Sequence, residues 1–140
     1  MRLLSRQSWN PLALIATART LIRRPGLLVP HVAVRNVDEL NYDALRAAGV
    51  ASIIFDKDNT LTAPYVDTAH IDVADSIKRA KDAFGEDNCI VLSNSAGSGD
   101  DAPEYNAAKA CEAALGLRVA RHPDAQKPQC LVDVVASLSV

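Results

Sequence analysis

Two short runs constrain this chain more than anything else in it. Residues 51–55 read ASIIF, and residues 89–92 read CIVL. Both are apolar without alternation, and both are flanked by segments of helical period. A strand covered by helices on both faces reads this way, whereas a half-exposed antiparallel strand alternates apolar and polar positions. The expected fold class is therefore α/β, a Rossmann-like parallel sheet with helices on both faces. At 140 residues, 49% hydrophobic and 23% charged, the chain is long and apolar enough for one such core.

Turn chemistry divides the rest. Arg24-Pro25-Gly26 ends a first helix, and an extended GLLVP follows. Asp38 is expected to cap a brief helix that stops at Gly49. Helices are predicted over 72–84 and 103–115, stopped by Gly85 and Gly116, with a third strand in LRVARH and a last helix over 128–137. In open parallel sheets ligands bind beyond the carboxyl ends of the strands. The conspicuous polar residues fall there: Asp56 and Asp58 after the first strand, Ser93 and Asn94 after the second, Lys127 beyond the third.

Like charges one residue apart at a strand end are costly unless a cation or substrate uses them. In extended backbone, residues i and i+2 point to one side, so Asp56 and Asp58 can address one site. A carboxylate can attack phosphorus. Two anions approach each other only with a cation between them, and Mg²⁺ suits oxygen donors.

The ordered set DKDNT, SNS and the lysine of DAQKP resembles the haloacid dehalogenase-like phosphatases, whose D-x-D-x-T pattern falls on Asp56, Asp58 and Thr60. The stretches FDKDNTLTAPY, LSNSAGSGDDAPEYNAAKACEAALG and VARHPDAQKP, with P-LLVPH before them, are more narrowly similar to the mitochondrial phosphatidylglycerophosphate phosphatases over about residues 24–130. The resemblance implies a Mg²⁺-dependent phosphatase of the cardiolipin route, and the short gaps after Asp58 and after Asn94 leave no room for a cap domain. Asp56 would be the nucleophile, and Asp58 the acid that protonates the leaving alkoxide and then helps activate water. Mg²⁺ would be held by the Asp56 side chain and the Asp58 backbone carbonyl. Ser93, the Asn94 N–H and Lys127 would bind phosphate, with Thr60 in support. His122 matches a family position but receives no chemical role.

The superfamily's fourth motif, an acidic pair after a fourth strand that pairs with the first, has no counterpart after Lys127. Asp133 is the only acid there. The expectation is a C-terminally incomplete domain that lacks the fourth core strand, leaves the first strand at a sheet edge, binds Mg²⁺ weakly and turns over slowly or not at all. Asp100, Asp101 and Asp133 are the acids available to stand in.

Charge is divided along the chain. Residues 1–37 carry Arg2, Arg6, Arg19, Arg23, Arg24 and Arg35 and no acid; all 17 acidic residues lie beyond them. Pro11, Leu14, Ile15, Ala18, Leu21 and Ile22 recur at helical spacing, with Arg19 and Arg23 off that stripe. The reading is a basic amphipathic leader over 1–24, a targeting or membrane-surface segment, ahead of a domain over 25–140. The alternative is a helix packed on its own domain. No run approaches the ~18 apolar residues needed to span a bilayer, so any membrane contact is peripheral. The acidic remainder argues against nucleic acid. Three cysteines outside any C-x-x-C or zinc spacing argue for a reducing compartment. The expected substrate is a phospholipid at a membrane surface, on the matrix side of the mitochondrial inner membrane or in the plastid. The competing readings are a phosphatase of soluble phosphomonoesters or phosphoproteins, and a silent domain that binds a partner through its sheet edge. Oligomeric state is not legible.

Overall fold

In the computed structural model, residues 11–63 and 73–138 are described. The chain divides into two compact units, Met1–Ala33 and Val34–Val140; composition had drawn the boundary after Arg24. Helix α1, Pro11–Arg23, opens on a proline, which has no N–H to leave unpaired at the first helical position. Leu14, Ile15, Leu21 and Ile22 are exposed, Ile22 by 82%. GLLVP is not extended throughout: Pro25–Leu28 form a 3₁₀ turn, with the Leu27 N–H donating to the Arg24 carbonyl (3.0 Å), and extended backbone returns at Val29.

The second unit is α/β. Strands β1 (Ile53–Phe55), β2 (Cys89–Val91) and β3 (Arg118–Val119) form a parallel sheet in that order, with Ile54 opposite Ile90 and Val91 opposite Val119. Among the described residues the sheet has three strands, and β1 is at its edge. The ladders are shorter than the apolar runs, because the chain leaves the sheet soon after the last shared bonds, Leu92 N–H to Phe55 O and Ala120 N–H to Val91 O (both 2.8 Å).

Strand alternation sends side chains to two cores. Phe55, Cys89, Val91 and Val119 join helices α2 (Tyr42–Ala47), α3 (Ala74–Phe84) and α4 (Asn106–Leu115). Ile54, Ile90, Leu92 and Ala120 face helix α5 (Leu131–Leu138), which contributes Val134, with Cys130 just before it. α3 buries Ser76, Ile77, Ala80 and Phe84, and α4 buries Ala108, Cys111 and Leu115, each set at one-turn spacing. The Tyr42 hydroxyl reaches the Val37 carbonyl (3.1 Å) and the Ser76 hydroxyl (2.7 Å). Burial nonetheless holds its pKa above the usual phenol value, outweighing the Ser76 bond. All three cysteines are buried free thiols.

Several boundaries differ from expectation. Asp38 caps nothing; Asn36 caps a 3₁₀ turn over Val37–Glu39, and Asn41 caps α2 through the Ala44 N–H (2.9 Å). The start expected for α3 at Asp72 lies outside the described residues. α4 begins three residues later than Pro103 because Tyr105 sits in the left-handed region (φ 54°). α5 begins at Leu131 rather than Pro128; residues 127–130 form turns, and the Leu131 N–H bonds the Pro128 carbonyl (3.2 Å).

Two segments that leave the sheet lie against each other. A Cβ on Gly97 (φ 81°) would fall 2.3 Å from the Ala120 carbonyl oxygen, and one on Gly99 would fall 2.5 Å from that of Pro123. Only glycine permits this approach. Gly97→Ala is therefore expected to cost about 2 kcal/mol or more in urea unfolding. Gly26→Ala, with nothing within 4 Å, is expected to be nearly neutral.

Candidate active site

β1 hands directly to Asp56, Lys57 and Asp58, and residues 57–62 then fold into a tight turn. The Lys57 carbonyl accepts from the N–H groups of Thr60, Leu61 and Thr62 (3.3, 2.9 and 3.1 Å), and Asn59 takes φ 62°. This turn, which contains Thr60, brings Asp58 back beside Thr62 in a parallel bridge.

The two carboxylates have different surroundings. The Asp56 side chain is 51% exposed; its Oδ1 accepts from Lys127 Nζ (2.5 Å) and from the Lys57 N–H (3.0 Å). The Asp58 side chain is 27% exposed; Oδ1 pairs with Lys57 Nζ (3.2 Å), and Oδ2 accepts from the Ser95 hydroxyl (2.7 Å). Lys57 is itself buried, its side chain only 2% exposed, which a lysine tolerates only when its ammonium is paired.

Beyond β2, Ser93 is buried, with its Oγ 2.9 Å from that of Ser95 and accepting from the Ser95 N–H (3.1 Å). The Asn94 side-chain oxygen accepts from the Lys127 N–H (3.0 Å), while Lys127 Nζ also donates to the Leu92 carbonyl (3.0 Å). Asp56, Asp58, Ser93, Asn94 and Lys127, chosen from the sequence at three separated places, thus sit in two short connected networks. One runs Asp56–Lys127–Asn94, the other Asp58–Ser95–Ser93. Lys127 spans the ends of β1 and β2.

Two residues here, Ser95 and Lys57, were not singled out, and two others, His122 and Asp101, were named without the roles they take. Ser95 was visible as the second serine of SNS. Lys57 carried no signal, because lysines are expected on the surface. His122, buried between two loops, and Asp101 acquire their partners only in the fold. Asp101 Oδ2 accepts from the Gly97 and Ala108 N–H groups and Oδ1 from that of Ala107, each at 2.9 Å. It caps α4 in place of Tyr105, which makes no side-chain cap, and pins the loop after Ser95 to that helix. Its carboxylate is committed to three backbone donors. Among the described residues there is no group of three or more His, Cys, Asp or Glu side chains placed to hold a metal ion.

The mitochondrial PGP phosphatase family profile matches residues 12–139. The chain belongs to that family. It is 36% identical over 116 residues to phosphatidylglycerophosphate phosphatase 1, chloroplastic/mitochondrial, of Arabidopsis thaliana, a match covering 83% of this chain and 33% of that protein. It is 39% identical over 103 residues to phosphatidylglycerophosphate phosphatase 1, chloroplastic, of Chlamydomonas reinhardtii, covering 74% and 38%. The chain thus spans about a third of the length of the Arabidopsis relative and under two fifths of the Chlamydomonas one. No solved structure matches it.

Asp101 also sets a pH dependence for this member of the PGP phosphatase family. Desolvation raises its pKa, but the Gly97, Ala107 and Ala108 N–H bonds and the Arg121 charge outweigh it, so the carboxyl titrates below its ordinary value. A depressed folded pKa contributes stability above the unfolded value of about 3.9, lost as pH falls through the folded one. Asp101→Ala is expected to cost about 1–2 kcal/mol at pH 7. In urea titrations across pH, the gap from wild type should narrow below about pH 4.

Proposed function

We propose that the domain is a Mg²⁺-dependent phosphatase of haloacid dehalogenase type that removes the terminal phosphate of phosphatidylglycerophosphate to give phosphatidylglycerol. One observation carries this reading: Lys127 Nζ binds Asp56 Oδ1 and the Leu92 carbonyl at once, drawing together the ends of β1 and β2 where the candidate nucleophile and phosphate loop lie. Family membership supports the substrate; the family's description and the name of the Arabidopsis relative support a mitochondrial location, and the names of both relatives support the plastid as the alternative.

In this reading an Asp56 carboxylate oxygen attacks phosphorus in line, and the P–O bond to the lipid glycerol breaks. Asp58 gives its proton to the departing alkoxide. It then takes a proton from water as that water attacks the aspartyl phosphate, releasing phosphate and restoring Asp56. Ser93 Oγ, the Asn94 N–H and Lys127 stabilise the phosphoryl oxygens. Ser95, bonded to Asp58, and Lys57, paired with it, hold that carboxyl in place.

The residues present fit Mg²⁺ in kind but supply few protein donors, so the ion would be held weakly. The donors are hard oxygens, and this ion is commonly bound by one or two carboxylates together with substrate phosphate and water. The Asp56 carboxylate and the Asp58 backbone carbonyl would hold it. When bound, it offsets the repulsion between carboxylate and phosphate.

The first unit supports a lipid-surface substrate. Its exposed Leu14, Ile15, Leu21 and Ile22 share a helix with Arg19 and Arg23, and Arg19, Arg23 and Arg24 line a cavity of about 290 Å³ with Thr20 and Leu27. An anionic leaflet attracts such arginines by about 1 kcal/mol each. No helix among the described residues is long and apolar enough to cross a membrane, and the contact in this reading is peripheral, on the matrix side of the inner membrane.

In a form of this domain that turns over, Asp56→Asn is expected to abolish turnover and phosphoenzyme formation, because an amide is a poor nucleophile, whereas Asp58→Asn slows both leaving-group departure and dephosphorylation. Radiolabelled phosphate release and acid-stable labelling of the chain separate the two, and normal turnover by Asp56→Asn protein sinks the assignment. Removing residues 1–24 is expected to weaken binding to phosphatidylglycerol- or cardiolipin-containing vesicles at least ~tenfold, with melting and circular dichroism of the α/β unit unchanged. Loss of the fold would instead make α1 part of the core.

A further inference from the structure

His122 lies in the segment after β3 and is 6% exposed. Its backbone N–H donates to the Gly97 carbonyl (2.7 Å). Its ring reaches two further carbonyls, Nδ1 at 2.7 Å from Ala125 O and Nε2 at 2.8 Å from Ser93 O. A carbonyl oxygen only accepts, so each contact is a hydrogen bond where that ring nitrogen carries its hydrogen: the Nε2–H tautomer makes the Ser93 bond, and both form together only on the imidazolium. Ala125 is two residues before Lys127, and Ser93 is one residue before Asn94. The ring therefore ties the lysine loop to the serine loop.

The Ser93 contact does more than tie. The Ser93 carbonyl and the Asn94 N–H belong to one peptide group, which is planar and trans, so they point in opposite directions. Fixing the carbonyl fixes the aim of the N–H. A hydrogen bond accepted by the carbonyl also polarises the peptide and strengthens its N–H as a donor. We infer that His122 is a positioning residue: by holding the Ser93 carbonyl through Nε2, it turns the Asn94 N–H toward the phosphoryl group. This rests on the phosphatase reading, in which that N–H binds a phosphate oxygen, and gives a role to a histidine that touches no reacting atom.

The two ring contacts can be separated. Glutamine places an amide N–H near the position of Nε2, and asparagine near that of Nδ1. His122→Gln is expected to keep the Ser93 bond, and His122→Asn to lose it while keeping the bond to Ala125. The probe is inorganic phosphate with Mg²⁺, titrated into ¹⁵N-labelled full chain. In the wild type and His122→Gln, the Asn94 amide shifts as phosphate binds. In His122→Asn the affinity falls about tenfold or more, the size expected for losing one hydrogen bond to a charged group, and the Asn94 response shrinks most. Thermal melts on the same samples show whether both variants are folded. A folded His122→Asn protein that binds phosphate like the wild type overturns the inference and leaves the phosphatase reading intact. Equal losses in both variants also overturn it, since they mark a general packing role. If the wild-type Asn94 amide ignores phosphate, the phosphate site itself is misassigned and both readings fall. Should His122→Asn unfold, the trans-hydrogen-bond coupling between His122 Nε2 and the Ser93 carbonyl carbon decides in the wild type: its presence supports the inference and its absence overturns it.

Discussion

Asp56 and Asp58 stand one residue apart where β1 ends, and like charges this close along the chain repel each other. The fold answers with two ammonium groups. Lys57, buried within the same turn, pairs with Asp58, and Lys127, far along the chain, pairs with Asp56. Lys57 is supplied locally by sequence adjacency, whereas Lys127 arrives only after three strands have been laid side by side. Parallel order is what makes this possible: each strand delivers its following loop to the same edge of the sheet, so residues 56, 93 and 127 become neighbours.

The loops at that edge are held by polar contacts more than by apolar burial. Asp101 gathers three backbone N–H groups, His122 reaches three carbonyls through its ring and backbone, and Asn94 takes the Lys127 N–H. Gly97 and Gly99 let the backbones approach to a distance no side chain would allow. Directional bonds of this kind set angles as well as distances. Phosphoryl transfer depends on such positioning, and a displacement of about 1 Å can cost on the order of 100-fold in rate.

The first unit follows different physics. Its helix shows apolar side chains to the surroundings, and its arginines have no carboxylate within residues 1–37 to pair with. A helix with this composition suits an interface that is apolar inside and anionic at its edge. For a phosphatase acting on a phospholipid, such a segment would keep the domain where its substrate is.

Much of the second unit was legible because its signals are local. Continuous apolar runs marked β1 and β2, one-turn spacing marked α3 and α4, and Gly85 and Gly116 marked their ends. The aspartates, Ser93 and Asn94 could be named because polar residues just past a parallel strand share one edge, and Lys127 by its place in the resemblance. What the sequence could not decide were features made by partners distant along the chain. The start of α4 moved because Asp101 caps it from a preceding loop and Tyr105 takes a left-handed conformation. Lys57 went inward because Asp58 was there to receive its charge. His122 gained meaning only when the segment after β3 came to lie on the loop after β2. Period and turn chemistry act over a few residues and can be read in order. Hydrogen bonds between loops depend on where the strands carry them, and that was settled by the tertiary structure alone.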